Sequence, residues 1–171
     1  MIASKNEEYF ILEIKYNQKK YYSIWISDDQ DSLITENEKI TLFSDMLSLK
    51  KYCERKRLSL EEGISEYDID KLVDWINEKI STVDVSFILD FWNIFMDVSN
   101  SVKELFVGNE EKYSDLYRKL FYGNNLPTIN TSENDYIPVW NEHEVDQIKN
   151  IMKDGLKLFR ENTIVYNLAD R

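Results

Sequence analysis

Histidine and cysteine, the side chains most often used in acid–base, nucleophilic and metal chemistry, each occur once in this chain, as His143 and Cys53. His143 stands among the carboxylates of Glu142, Glu144 and Asp146, near the predicted start of a helix. Carboxylates at that position are stabilised by the helix dipole, which favours a capping role over catalysis. A zinc site would need a second soft ligand, and Cys53 lies in a different predicted helix. We therefore expect no metal, no cofactor and a buried, unreactive thiol.

Clustered carboxylates form the second candidate site in the sequence. The run 28–31, Asp-Asp-Gln-Asp, could hold a hard cation such as calcium. An EF-hand loop needs a Gly at its sixth position and a Glu at its twelfth. Counted from the start of this run, the chain has Leu33 and Lys39 there. The sequence therefore favours a solvated turn over an ion site.

A polar stripe that includes Asp90 and Asp97 follows one side of a predicted helix. Residues seven apart lie two turns apart, roughly 10 Å along the axis, which is too far for both to act directly on one bond. The chain also lacks a phosphate-binding loop, a Gly-rich dinucleotide turn and a Gly-x-Ser-x-Gly elbow. We expect the stripe to face solvent or bind neighbouring loops, and we expect no enzyme activity. A small cytosolic hydrolase that uses Asp90 and Asp97 is the alternative.

Charge narrows the class of partner. Thirty-two acidic and 21 basic residues give a net charge of -11, which repels both a nucleic-acid backbone and an anionic bilayer. Residues 28–70 hold twelve acidic and six basic side chains, more than half of the excess. Neither a signal peptide nor a membrane span is predicted. We expect a cytoplasmic protein with a basic protein partner, no nucleic acid and no membrane.

The elements that would position these residues follow from periodicity. Alternation of apolar and polar residues over 9–16 and 21–27 predicts an antiparallel hairpin with one buried face. Residues 40–43 are a plausible third strand. Helical spacing then predicts five helices. The first is capped by Ser44 and runs to about Arg57, and the second is capped by Asp68. The third is long and apolar, beginning at Asp84 and ending at Gly108, and the fourth runs from Asn109 to Gly123. The fifth follows a capping box formed by Asn141 and Glu144.

The predicted fold class is therefore α+β. A small N-terminal antiparallel sheet, the hairpin plus the possible third strand, packs on a bundle of about five α-helices. We expect one globular domain over residues 1–171, mainly β in 1–43 and mainly α in 44–171.

The connection 124–140 is long, polar and contains costly aromatic residues. Long ordered loops in compact domains are often binding loops. Tyr136 and Trp140 are the candidate partner anchors, since Tyr and Trp are enriched among interface hot spots. Packing of the same side chains against the bundle is the alternative, and we expect Trp92, by contrast, in the core.

Three stretches carry a resemblance to a known class of proteins. They are Leu-Asp-Phe-Trp-Asn-Ile-Phe-Met-Asp at 89–97, Lys-Leu-Phe-Tyr-Gly-Asn-Asn-Leu-Pro at 119–127 and Tyr-Ile-Pro-Val-Trp at 136–140. Together with the hairpin and the capped helix, they make residues 9–160 resemble immunity proteins of bacterial contact-dependent growth inhibition and related polymorphic toxin systems. The resemblance implies a monomer that binds and neutralises a cognate toxin domain, often a nuclease with a basic cleft, in a one-to-one complex. An adaptor without a toxin partner is a further alternative.

The predicted partner-binding residues are acidic and aromatic, because carboxylates attract a basic toxin and aromatic rings anchor it. The set is Asp28, Asp29, Asp31, Glu36, Glu38, Glu61, Glu62, Glu66, Asp68, Asp70, Tyr136 and Trp140.

Overall fold

The computed structural model describes residues 7–167. Seven strands and five α-helices follow one another along this part of the chain, and two short 3-10 turns, Val107–Asn109 and Glu111–Tyr113, precede the fourth helix. The α+β class and the five helices predicted from the sequence are confirmed. The elements are β1 Glu8–Tyr16, β2 Lys19–Ser27, β3 Ser32–Leu33, β4 Thr35–Glu36, β5 Lys39–Leu42, α1 Met46–Lys56, β6 Leu60–Asp68, α2 Ile69–Asn77, α3 Val85–Val102, α4 Ser114–Gly123, α5 Glu142–Glu161 and β7 Thr163–Val165.

The sheets are mixed, whereas the sequence predicted an antiparallel one. A four-stranded sheet has the order β3-β2-β1-β6 and a three-stranded sheet the order β4-β5-β7. β6 pairs with β1 in parallel, and β7 pairs with β5 in parallel. Both parallel strands lie beyond residue 43, in the part of the chain predicted to be mainly helical. β6 escaped prediction because it is exposed along most of its length and so shows no apolar alternation.

The hairpin buries both of its faces, and the prediction of one buried face was wrong. Its two-residue turn, Asn17-Gln18, has both φ angles positive, as two-residue hairpin turns of type I′ require. The resulting register pairs Ile11 with Ile24 and Leu12 with Ser23. A hairpin with one buried face would place Leu12 and Ile24 on the same face, whereas this register places them on opposite faces.

A separate apolar cluster covers each face of this sheet. Leu12 belongs to the main core with α2, α3 and α5. Ile11 and Ile24 belong to a smaller cluster with Leu49 and Cys53 of α1. Cys53 is buried, and burial raises the pKa of its thiol, which keeps it protonated and unreactive.

The helix ends agree with the sequence except at the start of α1, the end of α3 and the start of α4. The fourth helix begins at Ser114 and not at Asn109, which belongs to the first 3-10 turn. Asp68, Asp84 and the Asn141/Glu144 capping box cap α2, α3 and α5 as predicted. The N-cap of α1 is Asp45 rather than Ser44, because the Asp45 carboxylate accepts the backbone N–H of Ser48 at 2.7 Å. α3 ends at Val102, with the left-handed Lys103 as its C-cap, and does not reach Gly108.

The centre of the main core is α3. Trp92 is fully buried, as predicted. α3 contacts α5 so closely that a Cβ added at Gly155 would lie 2.1 Å from the ring of Phe95. The contact between α3 and α5 therefore leaves no room for a side chain at position 155. Within residues 7–167, no helix combines the length and the apolar character needed to cross a membrane.

Candidate functional site

The predicted acidic residues do not form one surface. The acidic turn, defined here as Asp28, Asp29 and Asp31, follows β2 at the end of the sheet where β1 begins. Glu61 and Glu62 open β6 at the same end, because Leu60 pairs with Tyr9. Two strand spacings, about 10 Å, separate β2 from β6 across β1. The remaining carboxylates, Glu36, Glu38, Glu66, Asp68 and Asp70, lie in β4, the β4–β5 turn, the far part of β6 and the start of α2.

Two of these carboxylates hold the hairpin turn. Asp70 accepts the backbone N–H groups of Asn17 and Gln18, each at 2.8 Å. Asp68 caps α2 and forms an ion pair with Lys15 at 3.2 Å. A non-glycine type I′ turn is strained, and Asp70 satisfies the two N–H groups that the turn leaves unpaired. Both carboxylates thus stabilise the fold itself.

Glu36 is also engaged by the fold. Its carboxylate accepts the hydroxyl of buried Tyr52 at 2.9 Å and forms an ion pair with Lys56 at 2.9 Å. Burial, together with this carboxylate, raises the pKa of Tyr52. Glu38 lies exposed in the β4–β5 turn with a positive φ angle.

The C-terminal part of α3 holds the acidic turn in place. The side-chain amide of Asn100 donates to the carbonyl of Asp31 at 3.1 Å and accepts from the side chain of Gln30 at 2.9 Å. The hydroxyl of Ser101 accepts the backbone N–H of Leu33 at 2.7 Å. The polar stripe of α3 therefore binds a neighbouring loop, which is one of the two roles expected for it.

Asp97 is the most strongly perturbed carboxylate of that stripe. Burial raises its pKa to about 7, the negative charge of Asp31 adds to the shift, and the hydrogen bond from the Trp25 indole at 3.0 Å opposes it. Burial also raises the pKa of Asp90. Neither residue lines any of the five grooves described for the chain. Asp97 connects α3 to β2, and this position gives no support to the hydrolase alternative.

The connection that follows α4 carries the strongest candidate site. Six of the eleven large apolar side chains exposed within residues 7–167 lie between 122 and 139, with exposed fractions from 39% to 82%. We call this set the loop surface. It consists of Tyr122, Leu126, Ile129, Tyr136, Ile137 and Val139.

A side-chain amide gives the loop surface its shape. The Asn125 side chain accepts the backbone N–H of Tyr136 at 2.7 Å and donates to its carbonyl at 2.9 Å. Asn130 donates to the Asn125 amide oxygen at 2.8 Å and so fixes its orientation. Asn125 thus pairs with Tyr136 as a neighbouring strand would, and the Tyr136 side chain remains 45% exposed. The sequence did not indicate this pairing, although the segment is rich in asparagine.

Trp140 occupies a different environment. Its ring is partly buried against the main core, and the Lys119 ammonium lies 4.6 Å from the ring centroid. Lys119 also contacts both carboxylate oxygens of Glu144, at 2.7 and 2.8 Å, and donates to the carbonyl of Val139. This network fixes the end of the loop to α4 and α5.

A groove of about 520 Å³ runs between α4 and the loop. Tyr122, Ile129 and Tyr136 form its apolar part. Its charged side chains are largely neutralised within the protein, because Arg118 pairs with Asp115 at 3.1 Å and Lys119 with Glu144. The groove therefore offers a nearly neutral surface that is part apolar and part polar, a mixture typical of protein contacts.

Comparison with known proteins provides a likeness of fold alone. No family model matches the chain, and no curated protein matches its sequence. A crystal structure of the SatS C-terminal domain in complex with bromine does match. The fold of the chain is similar to it. The TM-score is 0.54 with 10% sequence identity, over 92% of this chain and 94% of that one.

Proposed function

We propose that this protein binds and neutralises a cognate basic toxin domain, in the manner of immunity proteins of contact-dependent growth inhibition. The observation that carries the proposal is the loop surface, where most of the exposed large apolar side chains of the described chain are gathered on one segment. Exposed apolar patches on soluble domains commonly mark protein contacts. We expect a monomer that forms a one-to-one complex in the cytoplasm, with no nucleic-acid or membrane partner.

The loop surface is suited to tight binding because little of it must be ordered on contact. The bidentate pairing of Asn125 with Tyr136 fixes the backbone below the exposed ring. When a partner covers a side chain whose backbone is already fixed, less conformational entropy is lost on binding. Tyr136 is therefore the preferred anchor, and Trp140 supports the loop from below.

The acidic residues supply the electrostatic part of the proposal. The acidic turn, Glu61 and Glu62 lie at one end of the sheet, in a protein whose net charge is -11. Such a field accelerates encounter with a basic domain and disfavours acidic partners. In the complex, the same carboxylates would occupy the cleft in which a nuclease binds the phosphates of its nucleic-acid substrate.

Co-expression with the toxic domain encoded beside the gene tests the function. We expect cells to survive the toxin only in the presence of this protein, and the two chains to copurify. An adaptor without a toxin partner would give no protection. An enzyme would act on a small substrate without forming a stable complex.

Two substitutions then locate the contact. Tyr136→Ala should weaken binding by at least about 2 kcal/mol, roughly 30-fold, with little change in melting temperature. Trp140→Ala should lower stability as well as affinity, because its ring packs on the core. The matched control is Leu105→Ala, which removes a side chain that is 97% exposed outside the loop surface. If Tyr136→Ala loses stability while its affinity per folded molecule is unchanged, Tyr136 serves packing only.

A further inference from the structure

One edge of the four-stranded sheet is open. β6 is its outermost strand, and β1 is its only strand neighbour in that sheet. Residues 61–66 are exposed. Within residues 7–167, the backbone of 60–67 forms hydrogen bonds to no element other than β1. An edge with unpaired N–H and C=O groups is a template for a further strand.

The regular part of this edge is short and well defined. A bulge lies between the Tyr9 and Ile11 pairings, where Gly63 has a φ of +104°. From Ile64 to Asp68 the pairing with β1 is continuous. Five residues in a parallel strand span about 17 Å, enough for a short added strand.

The side chains along the edge define what can pair with it. Ile64 and Glu66 lie on one face of the sheet, the face of their β1 partners Ile11 and Glu13. Ile64 is 51% exposed, an unusual state for an aliphatic side chain in a strand. An aliphatic side chain on an added strand would pack against Ile64 and bury it.

Charge selects the occupant of the edge. Glu61, Glu62 and Glu66 are exposed, and they form no ion pair within the part of the chain that the structure describes. A second copy of this protein would bring the same glutamates together, so self-association at this edge is disfavoured. A strand that carries Lys or Arg would be attracted.

We propose that the open edge of β6 accepts an extended basic segment of the partner as an added strand. This inference rests on the proposed function and adds a second contact to it. The segment presents an aliphatic residue beside Ile64 and a Lys or Arg beside Glu66, two residues along, on the same face. β6 begins at the end of the sheet where the acidic turn lies and runs towards Tyr67, which packs on Phe91 in the N-terminal half of α3. The added strand would thus extend away from the acidic end.

A synthetic peptide tests this contact without the natural partner. The probe is the capped hexapeptide Thr-Val-Thr-Lys-Thr-Lys, titrated into the whole ¹⁵N-labelled protein. We expect amide shift changes at residues 60–68 and in β1, and slower hydrogen exchange at residues 64–68. The peptide with Glu in place of Lys should bind at least about tenfold more weakly. The peptide N-methylated at every residue keeps its charge but cannot form a ladder, and it should not bind.

Charge reversal on the protein provides the matched comparison. The triple variant Glu61→Lys, Glu62→Lys and Glu66→Lys should lose the peptide by at least about tenfold. The control is Glu104→Lys, Glu111→Lys and Glu161→Lys, which makes the same change in net charge at exposed sites outside β6 and outside the 124–140 connection and should bind as wild type. Equal binding of the N-methylated peptide, or equal loss in both triple variants, would overturn strand addition in favour of general charge attraction.

The natural toxin separates this inference from the proposed function. If the toxin binds, and the Glu61/Glu62/Glu66 variant weakens it while the control variant does not, both are supported. If the toxin is neutralised with unchanged affinity by both variants, the function stands and β6 is not its contact. If no toxin is neutralised although the peptide adds to β6, the proposed function fails and the open edge remains a site for basic strands.

Discussion

Replacing Asp97 with Asn should make the protein more stable at neutral pH, although it alters a side chain that accepts a hydrogen bond. Burial raises the pKa of Asp97 from 3.8 to about 7, so the folded protein holds a proton that the unfolded chain has already released. The folded state binds more protons between these values, and stability therefore falls as pH rises from about 4 to about 7. The asparagine oxygen can still accept the Trp25 indole N–H, and the variant carries no charge to desolvate.

The size of the effect follows from the same shift. A change from 3.8 to about 7 corresponds to about 4 kcal/mol at full burial. Because solvent still reaches this half-buried site, we expect about 2–4 kcal/mol of difference between variant and wild type at pH 8. Below about pH 4, where Asp97 is neutral in both states, the difference should fall close to zero.

Urea unfolding at a series of pH values between 4 and 8, followed by far-ultraviolet circular dichroism, measures this difference directly. Asp135→Asn, at an exposed position of the loop, is the control and should leave the free energy of unfolding close to wild type. A stability difference for Asp97→Asn that is the same at every pH would refute the reasoning. So would a variant less stable than wild type at pH 8, because the hydrogen bond of the charged group would then outweigh its burial.

Three other substitutions test the hairpin turn, the packing of α3 against α5, and the electrostatic attraction of the acidic turn. Asp70→Ala should lower stability by about 1–3 kcal/mol in urea unfolding, because two N–H groups lose their acceptor, whereas exposed Asp74→Ala should change it little. Gly155→Ala should lower the melting temperature, because a Cβ 2.1 Å from the Phe95 ring must displace it, despite the better helix propensity of Ala. Changing the three residues of the acidic turn to Lys should lower the association rate with the toxin at low salt and leave dissociation nearly unchanged. An unaltered association rate would make that turn only a solvated surface.

Local signals explain the parts of the fold that could be predicted. The caps Asp68 and Asp84 and the Asn141/Glu144 capping box act on backbone groups within three residues, so sequence spacing is enough to find them. α3 has too many apolar residues to be anything but central. α1 shows the limit of this approach, since Ser44 and Asp45 are both good caps and only the geometry selects Asp45.

Pairing between distant segments explains the parts that were missed. β6 is a strand because β1 supplies its hydrogen bonds from some fifty residues away, and its own residues carry no alternation. The two faces of the hairpin could have been deduced, however. A two-residue turn pairs Ile11 with Ile24, an odd number with an even one, so even-numbered apolar residues of the two strands cannot share a face.

The candidate site was only partly visible in the sequence for a related reason. A count of carboxylates does not distinguish an exposed residue such as Glu62 from Asp70, which accepts two backbone N–H groups. The loop was recognised by its length and its aromatic residues. The pairing that orders it depends on Asn125 meeting Tyr136 eleven residues later, and no local pattern encodes that contact.

The most direct test of the central proposal is the affinity of the purified protein for the purified toxic domain encoded beside its gene, measured by titration calorimetry together with the activity of the toxin. The proposal predicts a one-to-one complex, loss of toxin activity at equimolar protein, and binding at least about 30-fold weaker for Tyr136→Ala. A toxin that stays fully active in excess protein, with no heat of binding, would contradict it.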